Sequence, residues 1–394
     1  VSVPPRKVSG LLRQPTVIDL FAGAGGMSEG FQQAGFRSAL AVEYDEMAAK
    51  TFGHNHPNVP LLVDDVKNAT ESAMLRAMGD GVPGHVDVIC GGPPCQGFSL
   101  AGQRLTDDPR NTLFREFVRI VHLFQPSFVV FENVSGLVSM AKGAILAAII
   151  AEFEAAGYDC SYRVLNAADY GVPQSRPRFF LIGSRKHGKI GFPEASHFPS
   201  TKGGDLFLHN RPRHLTVWDA LSDLPSISQG EGLECLAHVN APLNEYQLAR
   251  RGQREPGTLY NHRATGHSEL IVRRYAAIPE GGDNSQVPIE LRTKKINVFK
   301  LHRERPSRTV TCNHRTDLLH PVIPRGTTVR EAARLQSFDD DYCFFGNLTR
   351  KAKWVTQDDQ VGNAVPPLLA KAIAEHVKSL CMAEETELAH ETAA

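Results

Sequence analysis

Little in this chain marks it as secreted, fibrous or metal-bound. Its 394 residues include seven cysteines, at 90, 95, 160, 235, 312, 343 and 381. That number is odd, the spacing is irregular, and neither a CxxC nor a Cys/His cluster at zinc spacing occurs. A disulfide framework and a structural metal are therefore not expected. Net charge is also missing. Lys and Arg number 43 and Asp and Glu number 43, which argues against a uniformly basic nucleic-acid binder. No apolar run approaches the roughly 18 residues that a membrane-crossing helix needs. Residues 1–16 lack the apolar core of a secretory signal, so the chain is expected in the cytosol. What remains is an ordinary globular composition, 42% hydrophobic and 22% charged, long enough for two or three domains.

The first half alternates short apolar runs with helical stretches. Strands are expected at Thr16–Phe21, Ser38–Glu43, Leu61–Val63, Val86–Cys90, Phe128–Glu132 and Phe179–Gly183. Helices are expected at Met27–Ala34, Glu46–Phe52, Ala69–Met78, Phe114–Phe124 and Lys142–Ala156. This rhythm predicts an α/β fold with a parallel, doubly wound sheet. From about Lys186 the rhythm breaks, and Gly, Pro, His and Arg become frequent. Two short helices there carry capping pairs, Thr216 with Asp219 and Thr328 with Glu331. A last amphipathic helix, Pro367–Leu380, can return to the sheet. The expected division is a catalytic domain of residues 1–186 and 355–394, with a smaller irregular domain and hinge, 187–354, inserted before the C-terminal helix.

Five segments carry chemistry. Asp19–Gly26 (DLFAGAGG) places glycines after a strand, where the backbone turns tightly and approaches a ligand closely. Glu43, closing the next strand, can accept both hydroxyls of a ribose, and Asp65 can accept from an adenine amino group. Gly91–Ser99 (GGPPCQGFS) presents Cys95 from a stiff turn at the carboxyl end of a strand, as a thiolate nucleophile would require. Residues 96–111 read as a mobile lid. Glu132-Asn133-Val134 puts a carboxylate where it can hold or donate a proton beside that thiol. Gln174–Arg178 (QSRPR) offers two guanidinium groups, Arg176 and Arg178, on one face. Gln360–Pro366 (QVGNAVP) reads as a turn closing the cofactor pocket.

Together with the VDD at 63–65 and the RPSRTVT at 305–311, and in this order, these segments resemble the DNA (cytosine-5) methyltransferase family. The resemblance runs from Val17 to about Leu380, apart from the stretch between Arg185 and about Lys300. It implies a Rossmann-like methyltransferase sheet and S-adenosyl-L-methionine as donor, with no metal. It implies that Cys95 adds to C6 of cytosine, so that C5 becomes nucleophilic. Glu132 would bridge N3 and the exocyclic amine, Arg178 would hold O2, and Arg176 would support the loop and balance charge. The cofactor pocket would comprise Phe21, Gly23, Gly25, Gly26, Met27, Glu43, Tyr44, Asp65, Val66, Pro94, Leu113, Asn363 and Val365. A base inside a stacked duplex is out of reach, so the target would be flipped out.

The resemblance also implies a double-stranded DNA partner. Between Glu245 and Arg308 there are 13 Lys and Arg against 7 Asp and Glu, a surplus suited to phosphates. Ser99, Gln103 and Arg104 on the lid, and Arg250, Arg251, Arg254, Arg263, Arg273 and Arg274 in the inserted region, are the expected DNA contacts. A stand-alone, monomeric bacterial modification enzyme is expected, with or without a cognate restriction endonuclease. A relative acting on RNA shares the chemistry. A non-catalytic DNA-binding relative would not need Cys95, Glu132 and Arg178, and a Rossmann dehydrogenase would not need the Pro-Pro-Cys-Gln turn.

Overall fold

The computed structural model describes residues 13–81, 83–94, 112–199, 212–295, 297–348 and 354–393. The first half runs β1 (Thr16–Leu20), α1 (Gly26–Gln33), β2 (Arg37–Glu43), α2 (Glu46–Asn55), β3 (Leu61–Val63), α3 (Glu71–Met78), β4 (Val88–Gly91), α4 (Thr112–Phe124), β5 (Phe128–Val134), α5 (Ala144–Ala155), β6 (Asp159–Asn166) and β7 (Pro177–Ser184). These strands form one seven-stranded sheet in the order β3-β2-β1-β4-β5-β7-β6. The five strands β1 to β5 pair in parallel, as the alternation predicts. The last two depart from it: β7 runs antiparallel to β5, and β6 antiparallel to β7. The strand β6 was not expected. It is an edge strand with a polar composition, DCSYRVLN, so it lacks the continuous apolar run of a buried strand.

Alternation along each strand sends side chains to two cores. Ile18, Leu20, Ile89, Val129, Phe131, Phe179 and Leu181 pack with α3, α4 and α5 on one face. Val17, Val88, Cys90, Phe128, Val130, Phe180 and Ile182 pack on the other with α1 and the C-terminal helix, Pro367–Ala393. The segment Ser135–Ala155 contains an 18-residue window of mean hydropathy 1.7, enough by length and composition alone to cross a membrane, although Lys142, Glu152 and Glu154 interrupt its apolar run. Its helix is broken at Ala141 and Lys142, with φ of 48° and 57°. Leu137, Ile145, Leu146, Ile149 and Phe153 lie buried in the sheet's core, which is one reason for the apolar composition.

The second half adds α6 (Val217–Leu221), β8 (Gly232–Ala237), α7 (Glu245–Ala249), β9 (Thr258–Arg263), α8 (Glu269–Ala277), β10 (Phe299–Lys300), α9 (His314–Asp317), β11 (Leu318–Leu319), α10 (Val329–Leu335), α11 (Gln357–Asn363) and α12 (Pro367–Ala393). Both expected capping boxes form, at Thr216/Asp219 and Thr328/Glu331. A third, Thr356/Asp359, starts α11. So the segment read as a turn before the last helix, Gln360–Pro366, is in its first half helical. The core of this region gathers Val217, Leu221, Leu259, Val329, Leu335, Phe338, Tyr342, Phe344 and Val361, and it also takes in Ala24 from the glycine-rich turn.

Candidate active site

The turns at the carboxyl ends of β1 to β5 open into one cavity of about 980 Å³, the usual position for a ligand in such sheets. Phe21, Gly23, Gly26, Met27, Glu43, Tyr44, Asp65, Val66, Pro94, Leu113, Asn363 and Val365 line it. Of the thirteen residues expected around the cofactor, Gly25 alone is off the wall. At φ 95° it is the N-cap of α1, and a Cβ there would meet His56 Nε2 and the Tyr342 hydroxyl, each at 2.7 Å.

Glu43 organises the floor. Its Oε2 accepts the Gly23 N–H at 2.7 Å and its Oε1 accepts the Asp45 N–H at 2.8 Å. Two backbone donors occupy about half of the roughly four acceptor positions of a carboxylate, leaving capacity for hydroxyls. Burial raises the Glu43 carboxyl above its ordinary range, and the backbone hydrogen bonds oppose that rise. Asp65, at the far side, caps a short 3₁₀ turn by accepting the Lys67 N–H at 3.0 Å. Phe21, Met27 and Val66 supply apolar wall in the same cavity. A sugar-sized hydroxyl pair and a flat aromatic amine fit this donor and acceptor set.

The other end of the cavity holds Pro93, Pro94, Glu132, Asn133, Arg176 and Arg178. Glycine is required at the approach to the Pro-Pro turn. A Cβ on Gly91 would overlap the Leu20 carbonyl, and one on Gly92 would stand 2.7 Å from Glu132 Oε2. Asn133 Nδ2 donates to the Pro93 carbonyl at 3.0 Å, fixing the turn against β5. Cys95, Ser99, Gln103 and Arg104, and the whole expected lid, 96–111, lie outside the described residues. Glu132 pairs with Arg178, Oε1 to Nε 3.4 Å. Burial pushes the Glu132 carboxyl upward, and the two guanidinium groups pull it back.

The two arginines divide their work. Arg178 lies beside Glu132. Arg176 is fully buried and donates to the Val310, Gly362 and Ala364 carbonyls at 2.8, 2.7 and 3.0 Å. It thereby ties the start of β7 to the RPSRTVT segment and to α11. Gln174 assists by accepting the Val310 N–H at 2.7 Å and donating to Gln336 Oε1 at 2.8 Å. The role of Gln174 in the QSRPR motif is not visible locally, because its partners lie more than 130 residues away.

The expected DNA arginines also separate. The Arg250 guanidinium donates to the Ser337 carbonyl and sits 3.4 Å from Asp339. Arg251 pairs with Asp223, Arg254 with Glu29, and Arg274 donates to the Leu291 carbonyl. All four thus have partners within the protein. Arg263 and Arg273 are exposed.

Comparison with known proteins supplies a family and a fold likeness. The C-5 cytosine-specific DNA methylase family matches residues 15–379. The type II methyltransferase M.DdeI of Desulfomicrobium norvegicum is 39% identical over 380 residues, spanning 92% of this chain and 88% of that protein. The type II methyltransferase M1.HphI of Haemophilus parahaemolyticus is 40% identical over 368 residues, spanning 92% and 86%. The crystal structure of a DNA modification methyltransferase encoded within an Escherichia coli prophage superposes with a TM-score of 0.71 at 29% identity, covering 93% of this chain and 99% of that one. Family and fold together imply S-adenosylmethionine-dependent transfer. The chain belongs to the C-5 cytosine-specific DNA methylase family and is a DNA (cytosine-5) methyltransferase.

Proposed function

We propose that the cavity holds S-adenosylmethionine at its Glu43 end and a cytosine flipped out of duplex DNA at its Glu132 end, with Cys95 as the nucleophile. The observation that carries this reading is the single cavity shared by Glu43, Asp65, Pro94, Glu132 and Arg178. When bound, the cofactor supplies an electrophilic methyl group. Glu43 would accept the ribose hydroxyls and Asp65 the adenine amino group, while Phe21 and Val66 flank the purine.

Cytosine C5 is a poor nucleophile until C6 is saturated. The Cys95 thiolate adds to C6, and the negative charge that moves onto the ring is met at N3. Glu132 donates its proton there, accepts from the exocyclic amine and so stabilises the developing charge. The raised proton affinity of this buried carboxyl supports that role. Arg178 holds O2, and Arg176 keeps the surrounding loops in place. Once C5 has taken the methyl group, N3 returns its proton to Glu132, and loss of the C5 proton to water expels the Cys95 thiolate and restores the aromatic ring.

Residues 187–354 are taken as the target-recognition unit and hinge. The type II names of the relatives support a restriction-modification context; the enzyme is taken to act as a monomer in the cytoplasm, with or without a cognate restriction endonuclease. A duplex carrying 5-fluorocytosine at the target tests the chemistry. Fluorine cannot leave as a cation, so the wild-type protein should remain covalently attached in the presence of cofactor, and Cys95→Ala should not. Equal adduct with both proteins would remove Cys95 from the reaction. Bisulfite sequencing of DNA from expressing cells identifies the modified sequence.

A further inference from the structure

The glycine-rich turn is held from behind by a residue that belongs to neither the sheet nor the cavity wall. Tyr342 is fully buried, in the second half of the chain, and its hydroxyl donates to the Ala24 carbonyl. The same hydroxyl lies 3.0 Å from His56 Nε2, and His56 Nδ1 lies 3.0 Å from Gln32 Oε1 on α1. Gly25 fits between them only because it has no Cβ. Burial holds His56 neutral, with its pKa lowered to about 4; with its one ring proton on Nε2 it donates to the Tyr342 oxygen, whose own proton goes to the Ala24 carbonyl. Arg254 stacks on the Tyr342 ring, 5.1 Å from its centroid, and pairs with Glu29 on α1. Ala24 itself packs in the same apolar cluster as Phe338 and Tyr342.

We infer that Tyr342 is a positioning residue for the methyl donor: its hydroxyl fixes the Ala24-Gly25 peptide, and through it the cofactor-facing edge of the turn at Gly23 and Gly26. The inference rests on the proposed placement of S-adenosylmethionine in the cavity. Without the hydroxyl, the Ala24 carbonyl and His56 Nε2 lose a common partner in a site closed to water. The left-handed turn then has one fewer restraint against alternatives that do not present Gly23 N–H to Glu43. A loop that must be reordered on binding lowers affinity for the cofactor, while the groups around the flipped base are untouched.

The test is cofactor affinity of the full chain by calorimetry, with steady-state kinetics on duplex DNA. In Tyr342→Phe the ring packing is kept and only the oxygen is removed. The expected result is a rise of about three- to tenfold in cofactor Kd and cofactor KM, the scale of one buried hydrogen bond. The DNA KM and the kcat at saturating cofactor should stay within about twofold of wild type, since no contact to the base is lost. A core variant away from the cavity, Ile149→Val, supplies a comparison with a loss of thermal stability but unchanged cofactor KM. Unchanged cofactor affinity in Tyr342→Phe, or an equal loss in Ile149→Val, overturns the inference. If the wild-type protein itself binds no S-adenosylmethionine, the assignment of the cavity has failed instead.

Discussion

Arg178 Nε stands 3.4 Å from Glu132 Oε1, and each side chain keeps only 13% of its surface in solvent. Burial raises the carboxyl's proton affinity and lowers the guanidinium's, and each group opposes the shift of the other. The carboxyl can therefore carry a proton at the moment a ring nitrogen needs one. Glu132→Gln keeps the shape and removes the titrating oxygen. Turnover should fall by roughly 10²–10⁴-fold, the usual worth of a positioned acid. Cofactor Kd should change by less than about twofold, because Glu43 and Asp65 hold the far end of the cavity. Single-turnover methyl transfer and calorimetry measure both quantities, and a variant that turns over normally would remove Glu132 from proton transfer.

Asp19 lies beneath the glycine-rich turn with almost no exposure. The Ser28 hydroxyl donates to its Oδ2 at 2.6 Å, yet burial raises its pKa from 3.8 to about 7. The folded chain thus keeps a proton that the unfolded chain releases above about pH 4. This group's contribution to stability is full below pH 4, declines as pH rises, and is gone above about pH 7. Asp19→Asn removes that decline. Relative to wild type, the variant should gain on the order of 3–4 kcal/mol between pH 4.5 and 8. Denaturant unfolding at the two pH values measures it, and parallel pH profiles would show that the carboxyl is already charged in the folded state.

What could be read from the sequence had local causes. Apolar runs of three to six residues marked the parallel strands, and the acids and glycines at their carboxyl ends marked the cavity, because chain direction alone brings those ends together. The strand β6 escaped because an edge strand presents Tyr162 and Val164 outward and alternates with polar residues. The helix α11 escaped because Gly362 and Asn363 read as turn residues. Gly362 is needed there for a different reason: a Cβ would press on the backbone of Thr311 and Cys312. The surplus of arginine between 245 and 308 concealed its own use, since partners such as Asp223 and Glu29 lie far away in the chain.

The seam between α1 and α12 makes a stability prediction. A Cβ on Gly30 would lie 2.5 Å from the Ala370 Cβ and 2.6 Å from the Lys371 nitrogen. The two helices cross here with no room for a side chain, and Phe31, Leu369, Ile373 and Val377 complete the contact. Gly30→Val must separate the helices or shift α12, at a cost of about 2–4 kcal/mol from overpacking and strain. Thermal unfolding should show a Tm lower by at least several degrees. A Tm equal to wild type would mean that α12 is not docked on α1 in solution.

Arg250 and Arg263 stand thirteen positions apart in the same basic stretch and should behave oppositely. Arg263, at the end of β9, and Arg273, on α8, are exposed. If they meet phosphates, Arg263→Ala and Arg273→Ala should weaken DNA binding similarly for every sequence. Each should also reduce the slope of log Kd against log salt by about one. Their unfolding curves should match wild type within about 0.5 kcal/mol. Arg250 is buried beside Asp339, with the Ser337 carbonyl as acceptor. Its replacement by alanine takes the donor from the Ser337 carbonyl and leaves the buried Asp339 with Arg254 as its remaining cation, so Arg250→Ala should destabilise the fold by about 2–4 kcal/mol while leaving the salt slope unchanged. Binding titrations at several salt concentrations, with unfolding curves of the same three proteins, separate the two classes. A reduced salt slope in Arg250→Ala without loss of stability would place that arginine on the DNA instead.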